Sequence, residues 1–220
     1  MTAEGDDASA IGDAAFVLLL RERGVRDMGV LRAMEQVPRE RFAPAALRAH
    51  ARRDIALPLP CGQSMTAPTT VAAMLGLLAV PAGARVLEIG TGSGYVTALL
   101  VHLGSGHVQS LERYAGLARA ARDRLGSDLV DATVEITDGL DASAIGERRF
   151  DRILLNGTCL EIPPHLAKAL APGGRLVGAV ATGQGARLAI VDRAVDGGVA
   201  TRTDMACRLP PLTAGRAHVL

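Results

Sequence analysis

The sequence predicts a doubly wound, mostly parallel α/β sheet preceded by a helical extension, on three observations. From Arg85 onward, apolar runs of strand length alternate with stretches of helical pattern, which is how a parallel sheet covered by helices on both faces is written. The first of these runs, Val86-Leu87-Glu88-Ile89, leads into Gly90-Thr91-Gly92-Ser93-Gly94. Glycine at every second position permits a tight turn and lets backbone N–H groups approach a nucleotide-like ligand. Ahead of the sheet pattern, residues 1–50 carry helical signals only.

Taken in order, Met1 to about Ser9 is small and acidic and is expected to fray. Ile11, Ala15, Leu18 and Leu19 share one helical face, and Gly24 offers a stop. Asp27 suits the N-cap of a second helix that carries Val30, Leu31 and Met34 and ends before Pro38. Pro44 suits the first position of a short third helix through Leu47. Between Asp54 and Pro68, Pro58, Pro60 and Gly62 preclude a long helix and predict a loop, after which a helix should run from about Pro68 to Leu78. Strands are expected at Arg85–Ile89, His107–Leu111, Thr133–Ile136, Phe150–Leu155 and Arg175–Val180. Helices near Tyr95–Leu103, Tyr114–Leu125 and Pro164–Leu170 separate most of them. Arg187–Asp192 and Thr201–Cys207 have no clear helix between them and should close the sheet edge as an antiparallel pair.

At 220 residues the chain fits one domain with an extension and can bury a substantial core. Aromatics are only 2% of the chain and Trp is absent, so that core must rest on Leu, Val, Ile and Ala. The net charge of +1, with Lys168 the only lysine, provides no field to recruit nucleic acid or an anionic membrane. Cys61, Cys159 and Cys207 are odd in number and far apart, which fits a reducing compartment rather than a disulfide framework. No stretch has the pattern of a signal peptide or a membrane span, so the expected address is the cytoplasm. His50, His102, His107, His165 and His218 are scattered without metal-ligand spacing, and no metal is expected.

Dinucleotide folds place their third glycine one residue later than Gly94, for close packing of helix on strand beneath a pyrophosphate. Here an acid, Glu88, also sits within the strand before the loop. A carboxylate there repels pyrophosphate but can hold, directly or through water, the cationic amino-acid end of S-adenosylmethionine. Glu112 closes the next strand, where a carboxylate can accept from ribose hydroxyls, and Asp138, in Thr137-Asp138-Gly139, could accept from an adenine amino group. Taken singly, Glu112 or Asp138 reads equally well as a solvated strand-end acid capping a helix. Three acids in register around one glycine loop point to S-adenosylmethionine over a nicotinamide or flavin dinucleotide.

Several segments then resemble the protein-L-isoaspartate O-methyltransferases, from about residue 11 to the C-terminus. Gly62-Gln63-Ser64-Met65-Thr66-Ala67-Pro68 is similar to that family's G-Q-[ST]-x-S loop with its following proline, the most specific of the matches. Val37-Pro38-Arg39-Glu40-Arg41-Phe42 resembles its Pro-Arg-x-x-Phe segment, and Val86 to Tyr95 its first cofactor motif. Glu161-Ile162-Pro163-Pro164 and Pro172-Gly173-Gly174-Arg175-Leu176-Val177 are similar to later segments.

The resemblance implies a seven-stranded class I methyltransferase (Rossmann-like) sheet. It divides the chain into residues 1–66, a helical extension with the substrate loop, and 67–220, the S-adenosylmethionine-binding domain. The implied reaction is methylation of the α-carboxylate of L-isoaspartyl residues in damaged proteins and peptides. The ester then collapses to a succinimide and opens a route back to aspartyl. By the same resemblance Thr66 and Ser64 are the catalytic hydroxyls, each exchanging Ser for Thr or the reverse relative to the family. Gln63, Met65, Asn156 and Leu212 would contact substrate. Glu88, Gly90, Thr91, Gly92, Ser93, Tyr95, Glu112, Asp138, Gly139 and Asn156 would contact the cofactor.

Outside that resemblance, Ser64 and Thr66 alone would read as preparing the start of the helix at Pro68. The match also has departures. Pro60 stands where the family has a glycine, Cys61 where an aromatic or His is common, and Arg52 where a Tyr is often found. Asn156-Gly157-Thr158-Cys159 replaces a run of small residues such as Ala-Ala, and Leu209-Pro210-Pro211-Leu212 is only loosely similar to Val-Pro-Leu. A proline cannot take over a positive-φ glycine, so a different loop path is expected near Pro60. Arg52 and Arg53 could attract an acidic substrate or form a solvated basic turn. Two further readings stay open: methylation of another carboxylate, in a specific peptide Asp or a small acid, and a cofactor-binding protein without turnover.

Overall fold

A computed structural model describes residues 3–126 and 131–217, with side chains from residue 12. The extension holds α1 (Ala3–Glu22), α2 (Met28–Gln36) and α3 (Arg39–Phe42), then a 3-10 turn over Ala45–His50. The helix thus starts ahead of the fraying expected up to Ser9. Its buried face is carried by Phe16 and Leu20 with Leu19 partly buried against the same core, whereas Ala15 and Leu18 face outward and Leu18 is 57% exposed. The run Phe16-Val17-Leu18-Leu19-Leu20 is apolar on every side, so periodicity alone could not select the face that meets α2. The side chain of Ile11, and His218, lie outside the described residues. Asp27 caps α2 as expected, its Oδ1 accepting from Val30 N at 3.0 Å. Pro44 flanks the 3-10 turn rather than occupying its first position.

The expected loop before Pro68 contains a small antiparallel hairpin, β1 (Leu57–Pro58) and β2 (Ser64–Met65), turned by a 3-10 segment at Pro60–Gly62. Its prolines bar a helix but not strands of two residues, and burial of Leu57, Leu59 and Met65 fixes it to the core. The positive-φ load falls on Cys61 (φ 63°) and Gly62 (φ 67°), so Pro60 is accommodated by moving the strain one residue on. From Pro68 the chain runs straight into α4 (Pro68–Leu78).

The sheet follows: β3 (Arg85–Ile89), α5 (Tyr95–His102), β4 (His107–Glu112), α6 (Ala115–Leu125), β5 (Ala132–Ile136), α7 (Ala142–Ile145), β6 (Phe150–Cys159), α8 (Pro164–Ala169), β7 (Leu170–Thr182), β8 (Gly185–Arg193) and β9 (Val199–Cys207). Strand order is β5-β4-β3-β6-β7-β8-β9, parallel through β7 and antiparallel at the β7–β8 and β8–β9 pairs. One core cluster joins the extension, α4, α5 and α6 to the sheet through residues such as Val86 and Val108. A second joins Leu87, Ile89 and Leu155 to Ile145, Leu166 and Ala169 of α7 and α8. Alternate residues of β3 therefore feed opposite cores, as a doubly wound sheet requires.

The chain leaves β3 toward β4 on one side and returns to β6 on the other. The carboxyl ends of β3 and β6 thus form a topological switch point, where such sheets bind ligands. Between Leu154↔Val177 and Thr158↔Ala179, β6 advances four residues while β7 advances two. This bulge carries Asn156 and Gly157 out of the ladder toward the switch point. Among the described residues, no helix is long and apolar enough to cross a membrane.

Candidate active site

The glycine loop closes β3 with Gly90, Gly92 and Gly94 at φ 96°, 54° and 87°, conformations a side chain rarely tolerates. A hydroxyl chain supports it from beneath. Glu88 Oε2 accepts from Ser110 Oγ at 2.6 Å and from Thr97 Oγ1 at 2.5 Å. Since Ser110 gives its one proton to Glu88, Thr91 Oγ1 donates to Ser110 Oγ across their 2.6 Å contact. From the side, Glu112 Oε2 accepts from Gly92 N at 2.8 Å and Oε1 from Tyr114 N at 3.0 Å. Burial pushes the Glu88 carboxyl up to about 7, against the two hydroxyl bonds that favour its charge. Burial also raises Glu112, opposed chiefly by the backbone N–H groups of Tyr114 and Gly92.

A cleft of about 620 Å³, its mouth included, opens over this loop. Ile89, Gly90 and Gly92 form its floor, with Leu111, Glu112, Arg113 and Tyr114 on one side. Asp138, Gly139 and Leu140 bound the β5 end. Gln63, Ser64 and Asn156 face them with Pro210, Pro211, Leu212 and Thr213. The C-terminal segment holds its place through backbone bonds of Thr158 N to Pro210 O and Leu212 N to Thr158 O, both 2.8 Å. Leu212 Cγ lies 2.6 Å from where a Cβ on Gly157 would stand, so only glycine admits this wall. Asp138 accepts from Leu140 N at 2.9 Å and from Gly215 N at 2.6 Å, and Arg113 Nε donates to Gly215 O at 2.7 Å.

A narrow space of about 250 Å³, its open mouth included, adjoins the cleft, and Ser64, Gly92 and Asn156 line both. Met65, Thr66, Thr91, Ser93 and Tyr95 complete it with Val71 and Val96. Thr66 Oγ1 donates to Asn156 Oδ1 over 3.5 Å, a long contact, while Asn156 Nδ2 holds Gly90 O at 3.1 Å. Asn156 thereby ties the end of the β1–β2 hairpin to the glycine loop.

The structure brings the expected residues together in two groups. Gln63, Ser64, Gly90, Gly92, Glu112, Asp138, Gly139, Asn156 and Leu212 line the cleft. Met65, Thr66, Thr91, Ser93 and Tyr95 line the adjoining space instead. Four of the residues expected at the cofactor, Glu88, Thr91, Ser93 and Tyr95, do not line the cleft. Tyr95 is buried against Phe42, with ring centroids 5.7 Å apart, because it opens α5 behind the loop. Thr91 and Ser93 turn inward, to Ser110 and to Tyr95 N. Glu88 lines neither space and is fully buried, so any contact with a ligand must pass through Oε1, which has no hydrogen-bond partner. Arg52 is engaged by Asp13 at 2.6 Å and Glu40 at 2.8 Å, and it braces α1 and α3 rather than facing the site.

Sequence reasoning missed Arg113 and Tyr114, which follow directly on Glu112 and could have been found by that position, while Leu212 was expected and Pro210, Pro211 and Thr213 stand beside it in the wall. It also assigned no role to Arg39, whose guanidinium bonds the backbone of Met65 and Thr66 at the end of the β1–β2 hairpin.

The cleft fits a phosphate-free nucleoside with an amino-acid arm. Two acids on its walls oppose a pyrophosphate. Each carboxylate keeps lone pairs beyond the backbone bonds it already accepts. Ile89, Leu111 and Leu140 supply apolar surface for a base. A Cβ on Gly90 would stand 3.3 Å from Asn156 O, so glycine keeps the floor open.

A sequence profile described as protein-L-isoaspartate(D-aspartate) O-methyltransferase matches residues 13–217. The protein-L-isoaspartate O-methyltransferase of Azorhizobium caulinodans is 43% identical over 213 residues, 94% of this chain and 95% of the relative. That of Xanthobacter autotrophicus is 47% identical over 178 residues, 79% of this chain and 78% of its own. A solved Plasmodium falciparum structure, designated a protein-L-isoaspartate O-methyltransferase in complex with S-adenosyl-L-homocysteine, has a similar fold. It aligns at TM-score 0.77 and 20% identity, covering 90% of this chain and 97% of its own. With the family profile spanning nearly the whole sequence and close relatives matching end to end, the chain belongs to the protein-L-isoaspartate(D-aspartate) O-methyltransferase family.

Proposed function

We propose that this protein is an S-adenosylmethionine-dependent carboxyl O-methyltransferase acting on the α-carboxylate of L-isoaspartyl residues in peptides and proteins. One observation carries the reading beyond family membership. Ser64, Gly92 and Asn156 are shared walls of the cofactor cleft and the hydroxyl-lined space, so donor and acceptor meet there.

When bound, S-adenosylmethionine supplies a methyl group made electrophilic by its sulfonium. A carboxylate with a reference pKa of about 4 is already anionic at neutral pH, so the acceptor needs no general base. The work left to the chain is positioning and removal of water. Glu112, with its remaining lone pairs, would accept from ribose hydroxyls, and Asp138 would hold the base end. Backbone at Gly90 and Gly92 approaches the ligand without Cβ interference. Thr66 is only 6% exposed, so a carboxylate that reaches its hydroxyl has shed most of its water. The long Thr66–Asn156 contact is weak enough to be exchanged for a hydrogen bond to the acceptor, and Ser64 offers a second hydroxyl donor. Hydroxyls suit this task because they donate without adding a competing base. The three unpaired cysteines support placement in the cytoplasm.

The test is to incubate the protein with methyl-labelled donor and one peptide in isoaspartyl and aspartyl forms. Base-labile label on the isoaspartyl form alone is the expected result. Label on the aspartyl form, or donor binding without transfer to either, contradicts the reading.

A further inference from the structure

Arg39 lies behind the acceptor hairpin at 1% exposure. Its guanidinium spans backbone carbonyls that are far apart in sequence. Nη1 donates to Ala51 O at 2.6 Å, and Nη2 lies 2.9 Å from Thr66 O, 3.2 Å from Ile55 O and 3.4 Å from Met65 O. Among the described residues it forms no ion pair. Of the neighbouring acids, Glu40 is taken by Arg52 and Asp54 by the backbone N–H and hydroxyl of Thr69. Tyr95, whose hydroxyl is buried without a partner, lines the same small space as Thr66. Burying a cation without an ion-pair partner in contact is costly, and carbonyl dipoles with the more distant charges of Asp54 and Glu40 repay only part of it. Burial lowers the Arg39 pKa, yet a guanidinium remains charged at neutral pH. If these bonds served packing alone, an apolar residue of similar volume would do as well.

We propose that Arg39 is the positioning residue for the methyl acceptor. It fixes the Met65–Thr66 backbone that carries the Thr66 hydroxyl, and its positive charge, which Asp54 and Glu40 offset without forming an ion pair with it, favours an anionic carboxylate in the space beside it. This rests on the reading of Thr66 as a donor to the acceptor carboxylate. The two contributions separate by chemistry. Lysine keeps the charge but not the planar fork, whereas glutamine keeps some hydrogen bonding and loses the charge.

The experiment measures kcat and peptide KM for isoaspartyl methylation, and S-adenosylhomocysteine affinity, in R39K, R39Q, T66A and the double variant R39K/T66A. R39K should lower kcat about tenfold with peptide KM within about twofold of the parent, as a misplaced donor predicts. R39Q should also raise peptide KM about tenfold, and both should bind S-adenosylhomocysteine within about twofold of the parent. In the T66A background R39K should cost less than about twofold, because residues that act through one group are not additive. Full activity in T66A overturns the Thr66 reading and this inference with it. Reduced activity in T66A with multiplicative loss in the double variant overturns the Arg39 role alone, as does cofactor affinity falling in step with transfer. R39K carries the test if R39Q does not fold.

Discussion

The proposed donor and acceptor halves of the site each rest on a fully buried ionisable residue that forms no ion pair among the described residues, and the two are held in opposite ways. Beneath the glycine loop, Glu88 is gripped by the hydroxyls of Ser110 and Thr97. Behind the hairpin, Arg39 is gripped by backbone carbonyls. Glu88 can shed its charge by taking a proton, because burial has moved it up to about 7. Arg39 cannot, so its charge persists wherever the protein is folded. The donor side is thus a floor built within the sheet, from adjacent strands in register. The proposed acceptor side is a hairpin of two-residue strands, held by its buried Leu57, Leu59 and Met65 and by side chains reaching in from other elements, Arg39 and Asn156. The difference teaches that cofactor binding and methyl transfer should fail separately when each half is disturbed.

Glu88→Gln should give the largest effect, on the donor floor. The native state holds the Glu88 proton up to about pH 7, whereas an unfolded glutamate has lost it above 4.5. Between those values the folded state binds more proton, so this group's contribution to stability falls as pH rises, by up to about 3 kcal/mol above pH 7. The glutamine variant, neutral throughout, should lose that decline. Urea unfolding midpoints of parent and variant at pH 5 and pH 8 check it, and identical pH dependence in the two would mean that Glu88 is not held protonated. Next comes Glu112→Ala, which orphans Gly92 N and removes the ribose acceptor. S-adenosylhomocysteine affinity by calorimetry should weaken about 30-fold, roughly 2 kcal/mol. Unchanged affinity would make Glu112 a cap and nothing more. Thr66→Ala should lower kcat about tenfold, about 1.4 kcal/mol, with donor affinity intact. A parallel loss of donor affinity would show that the halves are not separable. The smallest effect is expected for Ser64→Ala, a few-fold loss of kcat/KM for the isoaspartyl peptide, and full rates would leave Thr66 as the sole hydroxyl donor.

The same contrast governs what the sequence made legible. The donor floor is contiguous from Glu88 to Gly94 and continues at the ends of the next strands, so period-two alternation and turn chemistry were sufficient to find it. The antiparallel pair of β8 and β9 was legible for the same local reason. The acceptor half depends on contacts from Arg39 to residues 12 to 27 positions away, and no local period marks these. The hairpin was hidden because Pro58, Pro60 and Gly62 read as loop and two-residue strands are too short to show alternation. Asn156 was recognised as lying near the site, but its place there depends on the bulge in β6, which only pairing with β7 reveals. Helix α7 was missed because four residues behind the Asp141 cap show no hydrophobic repeat. The inward turn of Thr91 and Glu88 follows from a hydroxyl chain that crosses between strands, which a reading along one strand does not see.

The most direct test of the account follows the chemical fate of an isoaspartyl peptide by mass spectrometry and chromatography, with S-adenosylmethionine present and absent. The account predicts a methyl ester on the isoaspartyl form, its decay to succinimide, and donor-dependent accumulation of the aspartyl peptide. A stable methyl ester on an ordinary aspartyl side chain, with the isoaspartyl peptide left unchanged, would contradict it.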